Sequence, residues 1–150
     1  MRPFRKTALV MMASLALTAC ASWDEGAELS APLAGTNWRL VELVSKSDAV
    51  GSVRPTDPWK YQLTLAADGT VQARLDCNRG SGSWSAVGPP VDKLTFGPMA
   101  MTRAMCPEAS LDTRIARELS SVSTYEHNDD RLVLYLTGDR GDQVWARVRE

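Results

Sequence analysis

Histidine and cysteine are scarce in this chain of 150 residues. His127 is the single histidine, and Cys20, Cys77 and Cys106 are the only cysteines. Zinc sites draw on close pairs of these ligands, and no such pair is present, so a metal centre is not expected. Serine hydrolysis is also excluded. Ser81 and Ser83 lie outside a Gly-x-Ser-x-Gly frame and have no evident base. A phosphate-cradling glycine loop is missing, and so are long runs of like charge. The chain holds 17 basic and 18 acidic side chains, a balance that argues against nucleic acid as a partner. These absences leave no catalytic residue, no metal ligand and no cofactor site to expect, and so no enzyme.

What is present starts at the N-terminus. Arg2, Arg5 and Lys6 make a positive start, and Ala8 to Leu17 is uncharged and mostly apolar. That run is shorter than the roughly 20 residues a membrane-spanning helix needs. Its charge, length and small-residue exit are those of a secretory signal peptide. Leu17-Thr18-Ala19-Cys20 resembles the lipobox of bacterial lipoproteins. The resemblance implies a diacylglyceryl group on the Cys20 thiol, cleavage before it, and acylation of the new N-terminus. One buried chain anchors only marginally, at about 0.8 kcal/mol per CH₂, whereas two or three hold firmly. Ala21 and Ser22 follow the cysteine, and no aspartate does; the resemblance to enteric lipoproteins then implies the periplasmic face of the outer membrane. The expected divisions are a signal peptide over 1–19, a lipid-anchored tether over 20–34 and a domain over 35–149. The leader carries three of the basic side chains and none of the acidic ones, so the remainder is net acidic.

With Cys20 taken by lipid, Cys77 and Cys106 remain as an even pair in an oxidising compartment, and they are expected to form a disulfide. Two buried free thiols are the alternative.

Trp38 to Leu43 reads as a first strand, and residues 45–58 as a loop. Tyr61, Leu63 and Leu65 alternate with polar residues, as do Val71, Ala73 and Leu75 beyond Asp68-Gly69; this is a hairpin signal. Residues 77–90 are rich in glycine and serine, with a short strand expected over Ser83–Val87 and another over Leu94–Phe96. Ser110 to Val122 reads as one helix, with Ser110 as N-cap and Leu111, Ile115, Leu119 and Val122 on one face. A strand over 122–127 follows. Leu132–Leu136 and Val144–Val148 then flank a turn at 138–142. The fold class is α+β: a mostly antiparallel, strongly curved sheet or small barrel of about seven to eight short strands packed on one helix. Trp38, Trp84 and Trp145 fall in or near strands and are expected in the core, whereas Trp23 and Trp59 fall in loops.

Two segments carry a family resemblance: Leu75-Asp76-Cys77-Asn78-Arg79-Gly80-Ser81-Gly82-Ser83-Trp84, and Met99 through Cys106-Pro107. With the leading Gly35-Thr36-Asn37-Trp38, they resemble the signature stretches of the META domain, the family of HslJ-like bacterial lipoproteins. Asp76 stands where that family usually has glycine, Trp84 where it has an aromatic, often tyrosine, and Arg103-Ala104-Met105 departs from its commoner order. The resemblance covers about residues 33–149. It implies an antiparallel sheet wrapped round a helix, and a link to stress response and antibiotic tolerance. It implies no enzymatic activity. A secretion-channel pilot role follows only by analogy of fold.

Candidate binding residues follow from these segments. Asn78 and Arg79 lie beside the expected disulfide on glycine-rich backbone. They either form a binding site or pin a turn by satisfying loop carbonyls. Thr102 and Arg103 would come near them, and Arg79 with Arg103 has the paired donors to grip an anion or a partner carboxylate. Trp59, beside Pro58 and Tyr61, is a candidate for contact with a membrane or partner. His127 is expected at an exposed strand end. Arg140-Gly141-Asp142 is expected to be turn chemistry. The functional expectation is a monomer that binds an envelope protein or a lipid-like ligand. A protective envelope protein with no fixed ligand is the alternative.

Overall fold

A computed structural model describes residues 32–149 apart from Asp48, Val50, Pro90 and Asp139. The leader, Cys20, Trp23 and most of the tether lie outside the described residues. Nine strands form one antiparallel sheet: β1 (Thr36–Val44), β2 (Tyr61–Leu65), β3 (Thr70–Leu75), β4 (Asn78–Val87), β5 (Lys93–Phe96), β6 (Ala100–Met101), β7 (Val122–His127), β8 (Arg131–Leu136) and β9 (Asp142–Val148). Each consecutive pair from β1 to β5 and from β7 to β9 is hydrogen-bonded, and β9 returns to β1. Eight strands therefore close a meander barrel, with β6 attached to β4 as a ninth. Closure leaves the eight strands of the ring without an open edge, which removes a route to aggregation. The seam between β5 and β7 is the thinnest, a single residue pair, Lys93 with Thr124. Between these two strands the chain makes β6 and the helix α1 (Asp112–Leu119).

The alternating residues do what their period demands. Leu63, Leu65, Val71, Leu75, Leu132 and Leu134 point inward and are buried, together with Trp38 and Trp145. The turn between β2 and β3 is a three-residue loop closed by Ala66 N–H to the Thr70 carbonyl (2.9 Å), with Gly69 at φ +84°. Asp68 accepts from the Thr70 N–H (2.9 Å). That bond and one from the Thr70 side chain hold the Asp68 carboxyl below its ordinary value. The Gly35-Thr36-Asn37-Trp38 stretch has a mechanical reading. Thr36 Oγ1 accepts from the Trp38 indole and donates to the Leu33 carbonyl, both at 2.6 Å, so a buried indole N–H is satisfied where it enters the core.

Several expectations need correction. The helix is shorter than Ser110–Val122, because Val122 already begins β7. Leu111 is the N-cap residue and makes no side-chain capping bond. Ser110 Oγ instead accepts from Asp112 N–H at 3.3 Å, and the Leu111 N–H goes to the Tyr61 hydroxyl. The barrel closes on its own strands, and the one helix of the described residues packs against it. The helix adds Ile115 and Leu119 to the same interior cluster. It also brings in Glu118, buried between Arg114 (2.8 Å) and Gln143 (3.0 Å), whose amide oxygen in turn accepts from Trp145.

The glycine- and serine-rich stretch is a ten-residue strand rather than a loop with a short strand at its end. Its inward positions are Asn78, Gly80, Gly82, Trp84 and Ala86. A Cβ on Gly80 would strike Met101 Sδ, and one on Gly82 would lie 2.8 Å from the Pro98 carbonyl oxygen. The glycines let β6 and its approach lie against β4 while Met99 and Met101 fill the space above them. Gly82→Ala is therefore expected to destabilise the fold by about 1–3 kcal/mol through overpacking. Thermal denaturation checks this; an unchanged midpoint would mean the 97–99 segment shifts freely.

Candidate functional site

Cys77 and Cys106 are bonded, with their Cα atoms 5.6 Å apart across 29 positions. The disulfide fastens the β3–β4 turn to the segment between β6 and α1. Asp76, the first residue of that turn, has φ +56°, a conformation open to glycine without cost. That accounts for the glycine the resemblance places there. Asp76 is held by its N–H to the Lys60 carbonyl (2.7 Å) and its carboxylate to Lys60 Nζ (3.3 Å).

Asn78 does the rest of the fastening from inside. It is 4% exposed. Its amide nitrogen donates to the Ala104 carbonyl (3.1 Å), Asp112 Oδ2 (2.9 Å) and Cys106 Sγ (3.3 Å). Its oxygen accepts from the Thr102 hydroxyl (2.9 Å) and the Ala104 N–H (2.8 Å). Thr102 Oγ1 also accepts from the Arg79 N–H, and the Thr102 N–H donates to the Arg79 carbonyl. A carboxamide making this many internal bonds has no donor left for a ligand. Asn78 and Thr102 join β4, the 102–106 segment and the start of α1 into one rigid corner.

Arg79 faces out. One guanidinium nitrogen donates to the Asp76 and Asn78 carbonyls, both at 3.1 Å. This fixes the side chain and leaves its other donors toward solvent. Arg103 is exposed as well, but the two arginines line different hollows. Arg103 sits with Ala104 and Asp112 in one of about 400 Å³. Arg79 lines a broader one of about 660 Å³ on the outside of β2, β3, β4 and β6. The two hollows adjoin at Met101 and Thr102, which line both.

Arg79 has a different neighbour. The register places Arg74 of β3 directly opposite it, Gln62 of β2 opposite Arg74, and Arg39 of β1 opposite Gln62. A second outward row runs Asn37, Thr64, Gln72, Ser81 and Ala100. Trp59 stands at the end of the first row. It is 53% exposed, with the Arg39 guanidinium 5.3 Å from its ring centre and Gln62 donating to its carbonyl at 2.9 Å. One outer face thus gathers Trp59, Arg79 and Thr102 with Arg74, Gln62 and Gln72. Sequence reasoning missed the last three. The signal was available in the Asp68-Gly69 hairpin, whose period puts Gln72 and Arg74 on the solvent side. Only the unrecognised strand at 78–83 hid what they face.

Other features are absorbed by the fold. His127 is exposed at the end of β7, its ring 5.7 Å from that of Tyr125. Arg140 donates to Ser121 Oγ, and Asp142 lies 3.6 Å from Lys46 Nζ, so this tripeptide's charges are engaged locally. Trp38, Trp84 and Trp145 are buried in the core.

The META domain family model matches residues 31–150. No curated protein matches the chain. Among solved structures, a duf4847 family protein from Bacteroides vulgatus aligns at a TM-score of 0.59 with 15% identity, over 79% of this chain and 96% of that one. A protein from Burkholderia xenovorans aligns at 0.62 with 20% identity, over 79% and 85%. At such identities the likeness is one of fold.

Proposed function

Because the chain belongs to the META domain family, we propose that it is a lipid-anchored, non-enzymatic domain of the bacterial cell envelope that works by binding another envelope protein. Lipid on Cys20 holds it at the periplasmic face of the outer membrane. The tether over 20–34 gives the barrel reach, and its setting is envelope stress and drug tolerance. One observation carries the binding role. The signature residues are spent on a rigid corner, the interior is filled largely by leucine and tryptophan, and the outer face of β2, β3 and β4 still presents the exposed Arg74 and Arg79 over a hollow of about 660 Å³.

A second reading is a lipid-like ligand. It is favoured by an apolar hollow of about 390 Å³ between the β5–β6 segment and α1, lined by Phe96, Met99, Met101 and Ala116. Native mass spectrometry of the chain taken from its own envelope separates the two. The proposal expects a chain beginning at acylated Cys20 with no further lipid retained. A retained second lipid would favour the hollow beside α1, and an unmodified N-terminus would remove the anchor.

A further inference from the structure

We infer that Arg74 and Arg79 form a two-pronged carboxylate site for an acidic peptide segment of the protein partner, an inference that rests on the binding role proposed above. The two residues are cross-strand partners in β3 and β4, and both are exposed on the outer face. Side chains directly opposite one another lie about 5 Å apart at Cβ, where like charges destabilise. A fold carries such a pair at a cost unless an anion joins it. Neither arginine takes part in the ion pairs found among the described residues, and no carboxylate lines the hollow they share.

Arg79 is already immobilised by the Asp76 and Asn78 carbonyls, so little side-chain entropy remains to be lost on binding. Planar guanidinium groups match carboxylates by paired N–H donors. The rest of the lining indicates what bears the carboxylates. Gln72 and Ser81 present an amide and a hydroxyl on neighbouring strands, and Gln62 and Thr64, which donate to the Trp59 carbonyl and to Asn37, keep their oxygens as acceptors, a mixture suited to the alternating donors and acceptors of a peptide backbone. No aromatic ring lines the hollow to stack a sugar, and its few apolar members offer no channel for an acyl chain. The remainder of the chain beyond the leader is net acidic, so this face is a local reversal of sign that orients an acidic partner as it approaches.

The test uses the full chain purified in detergent, with arginine Nε–H resonances followed by NMR. The probes are a blocked pentapeptide of glutamate and aspartate, its glutamine and asparagine counterpart, inorganic phosphate, and phosphatidylglycerol vesicles. Saturable shifts of Arg74 and Arg79 with the acidic peptide alone are expected. Binding should weaken at least tenfold in Arg74→Gln and weaken further with added salt, while Arg103→Gln binds as the parent does. Arg79→Gln is paired with a melting curve because Arg79 also holds the turn; Arg74→Gln touches no such bond. No saturable shift, equal binding of the amide peptide, or tighter binding of phosphate or vesicles would each overturn the inference. A partner crosslinked in the envelope from this face without peptide binding removes this inference alone. Absence of any crosslinked partner removes the reading beneath it.

Discussion

Asn78→Ala is expected to lower stability by about 2–3 kcal/mol, a loss out of proportion to the few atoms removed. The alanine leaves the Ala104 N–H and the Asp112 carboxylate without the partners they have now. Ala104 is exposed and Asp112 half-buried, so water replaces part of each lost bond and each costs toward the lower end of the about 1–3 kcal/mol of an unsatisfied buried group. For a domain of this size each kcal/mol is worth roughly 3–5 °C in melting temperature, so the midpoint should fall by about 6 °C or more. Asn78→Asp is the sharper variant. It keeps the volume and the acceptor but loses both donors and sets a carboxylate beside Asp112. It should cost at least as much as alanine. If Asn78→Asp melts like the parent, the amide is not the pin described here and is free to serve a ligand.

Removing the disulfide has the other large effect. The double variant Cys77→Ser, Cys106→Ser opens a loop spanning 29 positions, worth about 3–4 kcal/mol in the chain-entropy account. Asn78 and Thr102 hold the same segment, so the two losses should not add. With the disulfide gone, Asn78→Ala leaves the 102–106 segment held to β4 by Thr102 alone, and the coupling should exceed about 0.5 kcal/mol in a double-mutant cycle. Denaturant titration of the four proteins measures it. Strict additivity would mean the corner is not one unit. The parent, unfolded without reductant, should label at neither Cys77 nor Cys106.

The strands with apolar residues at every second position were legible because period and burial coincide there. The hairpin of β2 and β3 and the closing pair β8 and β9 are of that kind. β4 was not, because its inward positions at 80 and 82 are glycine, and the apolar atoms that belong above them come from Met99 and Met101 of another segment. A pattern shared between two stretches of chain is invisible in either alone. The helix was overextended at both ends for local reasons. Ser110 fits an N-cap and Val122 a helical face, but Tyr61 takes the Leu111 N–H and β7 claims Val122. The disulfide followed from counting cysteines. The opposition of Arg74 and Arg79 depends on the register of a strand that does not look like one, so the sequence alone points to Arg103 as the companion of Arg79.

The central claim is that the outer face of β2, β3 and β4 is where this protein meets another. The most direct measurement is photo-crosslinking in the native envelope from a probe at Gln72, in the middle of that face, beside one at Glu126, exposed on β7. The account predicts a discrete adduct of one partner from position 72, lost when Arg74→Gln is added, and none from 126. No adduct from 72, or the same adducts from both positions, would contradict it.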